Sequence, residues 1–203
     1  MTREFNKMPM QEKFQHLLAV ISSQRFLQKQ GLGNEVPFFI CPYRPEEAPE
    51  MERLQKQLAN RLAHSGIHIL EINLYDLAID LLQKRGIWDR VLSMEKSVTK
   101  DKLKELLQGV LDPEAHLIPA IAGKIAENDF EVMFLSGVGE VFPYIRSHSV
   151  LNNLQSTAKE KPTVMFFPGA YTHSLESGAA LDLFGRLHDD KYYRAFNIFH
   201  CEV

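Results

Sequence analysis

The sequence has few cysteines, no long apolar run and no large excess of either charge. Its two cysteines, Cys41 and Cys201, are far apart and match no zinc-binding spacing, so we interpret them as reduced, buried thiols of a cytosolic protein. No apolar run approaches the ~18 residues that a membrane helix needs. The N-terminal segment has charges on both sides of the short run LLAVI and does not match a signal peptide. We therefore expect a cytoplasmic protein.

The near balance of charge argues against one class of partner. The chain has 23 Lys and Arg against 26 Asp and Glu, a formal net charge of −3. A protein that tracks nucleic acid normally carries a basic face, because cations make its phosphate contacts. We therefore predict no direct sequence-specific binding of nucleic acid.

Short apolar segments alternate with segments of helical periodicity along the chain. Helical spacing covers residues 9–30, the segment from Met51 to Leu62, and the run YDLAIDLLQK. The predicted strands are Val36–Cys41, ended by Pro42, then Ile67–Leu74, Glu131–Ser136, Thr163–Phe167, ended by Pro168 and Gly169, and Tyr193–Phe199. These strands are apolar on both faces, as buried parallel strands are. The pattern predicts an α/β three-layer sandwich around a mostly parallel five-stranded sheet.

The whole chain, residues 1–203, is predicted to form a single domain, because no linker, repeat or low-complexity segment interrupts it. The region 75–128 is long for one crossover between strands, so we expect a helical insertion over one edge of the sheet. Asp112, Pro113 and Glu114 within it form a strong helix start, with a capping side chain followed by proline and an acid.

Nucleotide binding is tested at the loops that follow the strands, because ligands of open parallel sheets bind at the carboxyl ends. A phosphate loop needs glycines, a lysine and a hydroxyl for magnesium. The first such turn, CPYRPEE, has no glycine or lysine and contains two acids. The third strand ends at Ser136 and Gly137 instead of an acid, and its GVG falls short of GxGxxG. We predict a degenerate relative of P-loop NTPases that binds no cofactor.

Catalytic and metal-binding patterns are also incomplete. Ser136 lies in LSGVG, not in GxSxG, and forms no recognisable triad with His148 or His173. A metal site made by His148, His173 and Asp189 would require three separate loops to converge. We therefore predict no catalytic residue, no metal ligand and no enzymatic activity.

Aromatic and arginine side chains at the same predicted rim favour a binding surface, because these residues are enriched at the energetic centres of interfaces. The candidate partner-binding residues are Tyr144, Arg146, His148, Tyr171 and Arg186. We expect the Arg146 guanidinium to make a forked contact with backbone carbonyls or with an acid such as Asp189. The acidic helix start near Glu46 is an alternative surface.

A weak nucleotide- or nucleic-acid-binding protein derived from a P-loop fold is the alternative function. It would need clustered cations at the rim. The candidate cations are Arg44, Arg146, Arg186 and Arg194. The acids that oppose them are Glu46, Glu47, Glu140, Glu176, Asp189 and Asp190. This balance disfavours a phosphate ligand.

Five segments together resemble the BrxB family of BREX bacteriophage-defence systems. They are FFICPYRPEE, IHILEINLYDLAIDLL, FLSGVGEVFPYIRSHSVLNNLQ, PTVMFFPGAY and LDLFGRLHDDKYYRAFNIF, and they cover nearly the whole chain. The resemblance implies a small cytoplasmic accessory component of a system that methylates host DNA and blocks phage replication. It implies neither the methyltransferase nor the large ATPase of that system, and it favours the alkaline-phosphatase-like PglZ as the direct partner. The family supplies no catalytic residues to carry over.

Overall fold

The computed structural model describes residues 8–31, 37–174, 178–185, 187–188 and 195–202. Its centre is a sheet of seven strands, in which β2, β3, β4, β1 and β7 are parallel neighbours in that order. The strands are β1 (Phe38–Tyr43), β2 (Ile69–Asn73), β3 (Val132–Ser136), β4 (Thr163–Ser174), β5 (Gly178–Leu183), β6 (Leu187–His188) and β7 (Ala195–Asn197). The α/β class and the mostly parallel sheet are confirmed, and each predicted strand is present.

The sheet has two strands more than predicted, because Pro168 and Gly169 do not end β4. The strand continues to Ser174, and its second half pairs with β5 in an antiparallel hairpin that β6 extends. A Cβ on Gly169 would lie 2.1 Å from the Asp182 carbonyl oxygen, so glycine permits the close approach of β5. Gly169, which the sequence predicts to end the strand, instead allows β5 to pair closely with β4.

Pro42 also lies inside a strand, contrary to the prediction that it ends one. β7 pairs with Phe38–Ile40 of β1, so, within the described part of the chain, one side of β1 has no strand partner at Pro42. A residue without an N–H is tolerated at an unpaired position of this kind.

Helices cover both faces of the sheet. They are α1 (Met10–Ser22), α2 (Gln24–Leu27), α3 (Ala48–His64), α4 (Leu74–Lys84), α5 (Trp88–Glu95), α6 (Lys100–Val110), α7 (Ile118–Glu127) and α8 (Ser147–Leu154). No described helix combines the length and the apolar character that crossing a bilayer requires. The predicted helix 9–30 is divided at Ser23, whose hydroxyl accepts from the Phe26 N–H at 3.2 Å and starts α2.

Two apolar cores result from the alternation of side chains along the strands. Phe39, Phe134 and Phe166 point to the face covered by α1, α2 and α3. Phe38, Leu135 and Phe167 point to the opposite face, against α4, α7 and α8. Burying one such side chain stabilises the fold by about 1.5–3 kcal/mol. The two cores hold the strand ends, and the loops that follow them, in fixed positions.

Candidate partner-binding surface

The loops that follow the parallel strands meet at one rim of the sheet. Strand pairing places Asn73, the last residue of β2, opposite Ser136, the last residue of β3. It also places Tyr43, the last residue of β1, opposite Pro168 in β4. This carboxyl rim is where open parallel sheets hold their ligands.

A carboxylate of the chain itself closes the turn after β1. Glu47 lies immediately before α3, and its Oε2 accepts from the Lys13 Nζ at 2.6 Å and from the Arg44 N–H at 3.2 Å. Its Oε1 accepts from the Arg44 guanidinium at 2.8 Å. A helix start that follows a strand is a usual place for a bound phosphate. Here the anion at that place is Glu47.

The charges in this turn are set by their surroundings. Burial opposes ionisation of Glu47, but hydrogen bonds from Arg44 and Lys13 outweigh burial and lower the pKa of its carboxyl group. Lys13 is 1% exposed, so its ammonium depends on this ion pair. Beneath it, burial raises the pKa of the Cys41 thiol despite the nearby Lys13 charge. Cys41 therefore stays a neutral thiol, as its predicted buried state requires.

The glycine pair after β3 serves packing between loops. Gly137 has φ +75°, and a Cβ there would lie 2.2 Å from Asn73 Oδ1. The same Oδ1 accepts from the Tyr75 N–H at 2.8 Å and from the Asp76 N–H at 3.3 Å, which caps α4. Gly137 thus lets the loop pass close to a helix cap.

Three of the predicted partner-binding residues lie close together. Tyr144 is half-buried in the loop between β3 and α8, and its hydroxyl donates to the Glu140 carbonyl at 3.3 Å. Arg146 is exposed and immediately precedes α8, and His148 is half-buried in the first turn of that helix. The expected forked contact of Arg146 with Asp189 cannot be located, because Asp189 lies outside the described residues.

Tyr171 does not belong to this surface, which corrects the prediction for that residue. Its side chain is only 8% exposed within the core, and its hydroxyl donates to the Ala195 carbonyl at 2.6 Å. Burial raises the pKa of Tyr171 to about 12. The hydrogen bond joins the β4 end of the hairpin to β7, so Tyr171 stabilises the fold.

The other candidates fall outside the described part of the chain. Arg186 is one of them, and the side chain of His173 and the whole of Asp189 are others. Within the described part, no group of three His, Cys, Asp or Glu side chains is arranged to hold a metal ion.

Two further aromatic side chains are exposed near this loop and were not among the candidate residues predicted from the sequence. Tyr75 is 41% exposed at the start of α4, and Phe184 is 37% exposed after β5. Tyr75 borders the turn at Gly137, and a Cβ on Gly139 would lie 3.0 Å from the Phe184 ring. We call Tyr75, Tyr144 and Phe184 the aromatic rim. Tyr75 resembles an ordinary residue of an apolar helix in the sequence, and Phe184 follows a strand that was not predicted.

Acidic side chains lie next to the aromatic rim. A cleft of about 440 Å³ lies at β2, the outermost strand on one side of the described sheet. We call it the acidic cleft, because four carboxylates line it, those of Glu52, Glu71, Asp76 and Asp80. Lys56 and Lys124 also line it, and Lys56 is paired with Glu52 at 2.8 Å. Partial burial, then the negative charges of Asp76 and Glu52, raise the pKa of Glu140 beside Tyr144. Four carboxylates and two lysines thus line this part of the rim, so its charge is more negative than positive.

Comparisons with known proteins agree on one family. The family model described as "BREX protein BrxB" matches residues 70–198. A protein named "BREX protein BrxB" from Bacillus cereus (strain H3081.97) is 35% identical over 191 residues, which cover 92% of this chain and 96% of the relative. One of the same name from Escherichia coli O9:H4 (strain HS) is 32% identical over 180 residues, 88% of this chain and 86% of the relative. No solved structure matches the chain.

Proposed function

The chain belongs to the BrxB family of BREX proteins, and from this premise we propose that it is a non-catalytic accessory component of a BREX anti-phage defence system. It acts as a protein-interaction module that associates with other BREX proteins. PglZ is the proposed direct partner, on the grounds of the family resemblance. The carboxyl rim of the sheet, with Tyr144, Arg146 and His148, is the proposed contact surface.

The single structural observation that carries the non-catalytic part of this proposal is the Glu47 carboxylate in the turn after β1. In a P-loop protein, backbone N–H groups and a lysine at the corresponding turn hold the phosphates. In this chain, Lys13 and Arg44 hold Glu47 instead. A phosphate would have to displace a carboxylate that is covalently part of the turn, so the turn favours no nucleotide.

We also propose that the sheet is a degenerate form of the P-loop fold. The support is the arrangement in which β1, inside the parallel sheet, leads through a short turn directly into α3. This strand–loop–helix order is the one that carries the phosphate loop in P-loop proteins. The segment CPYRPEE, which ends β1 and leads into α3, contains neither the glycines nor the lysine.

Co-purification with the other BREX proteins tests the contact surface. We expect Tyr144→Ala combined with Arg146→Ala to abolish association with PglZ at unchanged expression, because aromatic and arginine anchors are each worth about 2 kcal/mol or more. Arg61→Ala, at an exposed position of α3, is the control and should bind as the native chain does. The thermal transition of each variant shows that it is folded.

Arg146→Lys provides a second variant that keeps the charge and most of the length. A lysine cannot reproduce a bidentate guanidinium contact. We therefore expect reduced association and reduced phage resistance with the fold intact. Full association and full phage resistance of Arg146→Lys would contradict the forked contact. Full association of a folded double alanine variant would place the contact surface elsewhere.

A further inference from the structure

Exposed aromatic side chains are concentrated at the carboxyl rim. Among the described residues, the large hydrophobic side chains with high exposure are Tyr75, Leu92 and Phe184. Two of these three border the same loop, between Gly137 and Gly139, and the half-buried Tyr144 lies in its continuation. Single exposed hydrophobic residues are ordinary, but adjacent ones indicate a contact site.

Both tyrosines of the aromatic rim have a carboxylate close to them in the chain. Asp76 follows Tyr75 on α4, and Glu140 lies four residues before Tyr144. Neither Asp76, Asp80 nor Glu140 forms a salt bridge with any residue that the structure describes. The surface thus combines aromatic faces with carboxylates that make no salt bridge to a described side chain, and Lys56 and Lys124 line the same cleft.

The carboxylates also act on one another. Glu52 and Asp76 line one cleft, and their negative charges contribute, after partial burial, to the raised pKa of the nearby Glu140. An incoming cation would reduce this mutual repulsion, whereas an incoming phosphate would increase it. A surface of this charge therefore discriminates against nucleic acid and in favour of a basic protein segment.

We infer that the aromatic rim and the acidic cleft together bind a basic, arginine-containing segment of the protein partner. Guanidinium groups of that segment stack on Tyr75 and Tyr144 and form salt bridges with Asp76, Asp80 and Glu140. Arginine suits both contacts, because its planar group stacks on aromatic faces and pairs with carboxylates through two parallel hydrogen bonds. This inference rests on the proposed function and specifies the chemistry of the partner at the same surface.

Charge reversal in the native complex tests the inference. Glu140→Lys combined with Asp80→Lys reverses the charge at the rim and leaves Asp76 in place, since Asp76 stands in the first turn of α4. Glu127→Lys combined with Glu160→Lys makes the same change of charge at exposed positions near the amino ends of β3 and β4. Tagged forms are co-expressed with the other BREX proteins, and captured partner is quantified at 50 mM and 500 mM NaCl.

We expect the rim variant (Glu140→Lys with Asp80→Lys) to capture at least tenfold less partner than the native chain. The control variant (Glu127→Lys with Glu160→Lys) should capture as much partner as the native chain. We also expect native capture to fall at the higher salt concentration, as association that depends on charge pairs does. Tyr75→Ala should weaken capture at least tenfold. Leu92→Ala, at a side chain of similar exposure on α5, should leave it unchanged.

The outcomes separate this inference from the proposed function. Equal capture by the native chain and a folded rim variant would overturn the inference and leave the interaction role in place. Greater capture by the rim variant than by the native chain would indicate an acidic partner, and this result would also overturn the inference. Failure of the native chain to capture any BREX protein would overturn the proposed function and the inference together.

Discussion

At the residue scale, the fold depends on Glu47, because Lys13 is 1% exposed and has the Glu47 carboxylate as its ion-pair partner. Removing one member of a buried pair typically costs 3–5 kcal/mol, roughly, since the other charge stays buried and unpaired. We therefore expect Glu47→Ala to lower the free energy of unfolding by about 3–5 kcal/mol. Denaturant unfolding measures this.

Two further variants control for the loss of a carboxylate. Glu50→Ala removes an exposed ion pair with Arg53, at 3.4 Å, and should have a far smaller effect. Lys13→Met should also be milder than Glu47→Ala, because Glu47 keeps Arg44 as a partner. A Glu47→Ala variant as stable as Glu50→Ala would show that the buried pair does not stabilise the turn.

The same carboxylate makes stability depend on pH in the acid range. The pKa of Glu47 is lower in the folded chain than its ordinary value of 4.5. Its stabilising contribution is therefore fully present above about pH 4.5 and is lost as the pH falls through the folded value. We expect the difference in unfolding free energy between the native chain and Glu47→Gln to shrink over that interval. A constant difference from pH 7 to pH 3 would contradict the ionised pair.

A substitution at Tyr171 tests whether this residue stabilises the core or contacts the partner. Tyr171→Phe removes the hydrogen bond to the Ala195 carbonyl and leaves the ring in place. We expect a loss of about 1–2 kcal/mol of unfolding free energy with unchanged partner association. Normal stability combined with lost association would return Tyr171 to the contact surface.

At the element scale, the start of α4 and the loop after β3 are built as one unit. Gly137→Ala would force φ +75° on a residue with a Cβ and would displace the Asn73 side chain that caps α4. The two effects are worth about 1–2 kcal/mol each. We expect a loss of about 2–4 kcal/mol in unfolding free energy from their sum.

Gly123→Ala is the matched control for this prediction. Gly123 lies inside α7, and an added Cβ there would meet nothing within 4 Å. Alanine exceeds glycine in helix propensity by about 1 kcal/mol, so this variant should be as stable as the native chain or more stable. Equal effects of the two substitutions would contradict the coupling of loop and cap.

The elements show which parts of the fold the sequence could predict. Buried strands such as Val132–Ser136 follow from local patterns, and so does the helical turn Pro113–Leu117, which Asp112 caps ahead of α7, because apolar runs and capping residues act over a few positions. The β4–β5 hairpin could not be predicted, because a glycine after a proline usually indicates a turn, whereas Gly169 lies within β4 and allows the close approach of β5. The exposure of Tyr75 and the ion pair of Lys13 with Glu47, 34 residues apart, depend on packing that no local pattern encodes.

At the scale of the whole molecule, the rim is predicted to bind no nucleotide. We expect the purified chain to show neither saturable ATP binding at millimolar concentration nor ATP hydrolysis above a buffer blank. The reason is the carboxylate at the turn after β1 together with the negative charge of the acidic cleft. Turnover that is abolished by a substitution at Arg44 or Ser136 would contradict this expectation.

Hydrogen–deuterium exchange of the chain alone and in its complex with the captured BREX protein measures directly which face makes contact. If the carboxyl rim is the contact surface, exchange should slow at the start of α4 around Tyr75 and in the loop 137–146. The exposed amides of α1, on the face of the sheet opposite α4, should exchange at the same rate in both samples. Protection confined to α1, with the loop 137–146 unchanged, would contradict the assignment of the rim as the partner-binding surface.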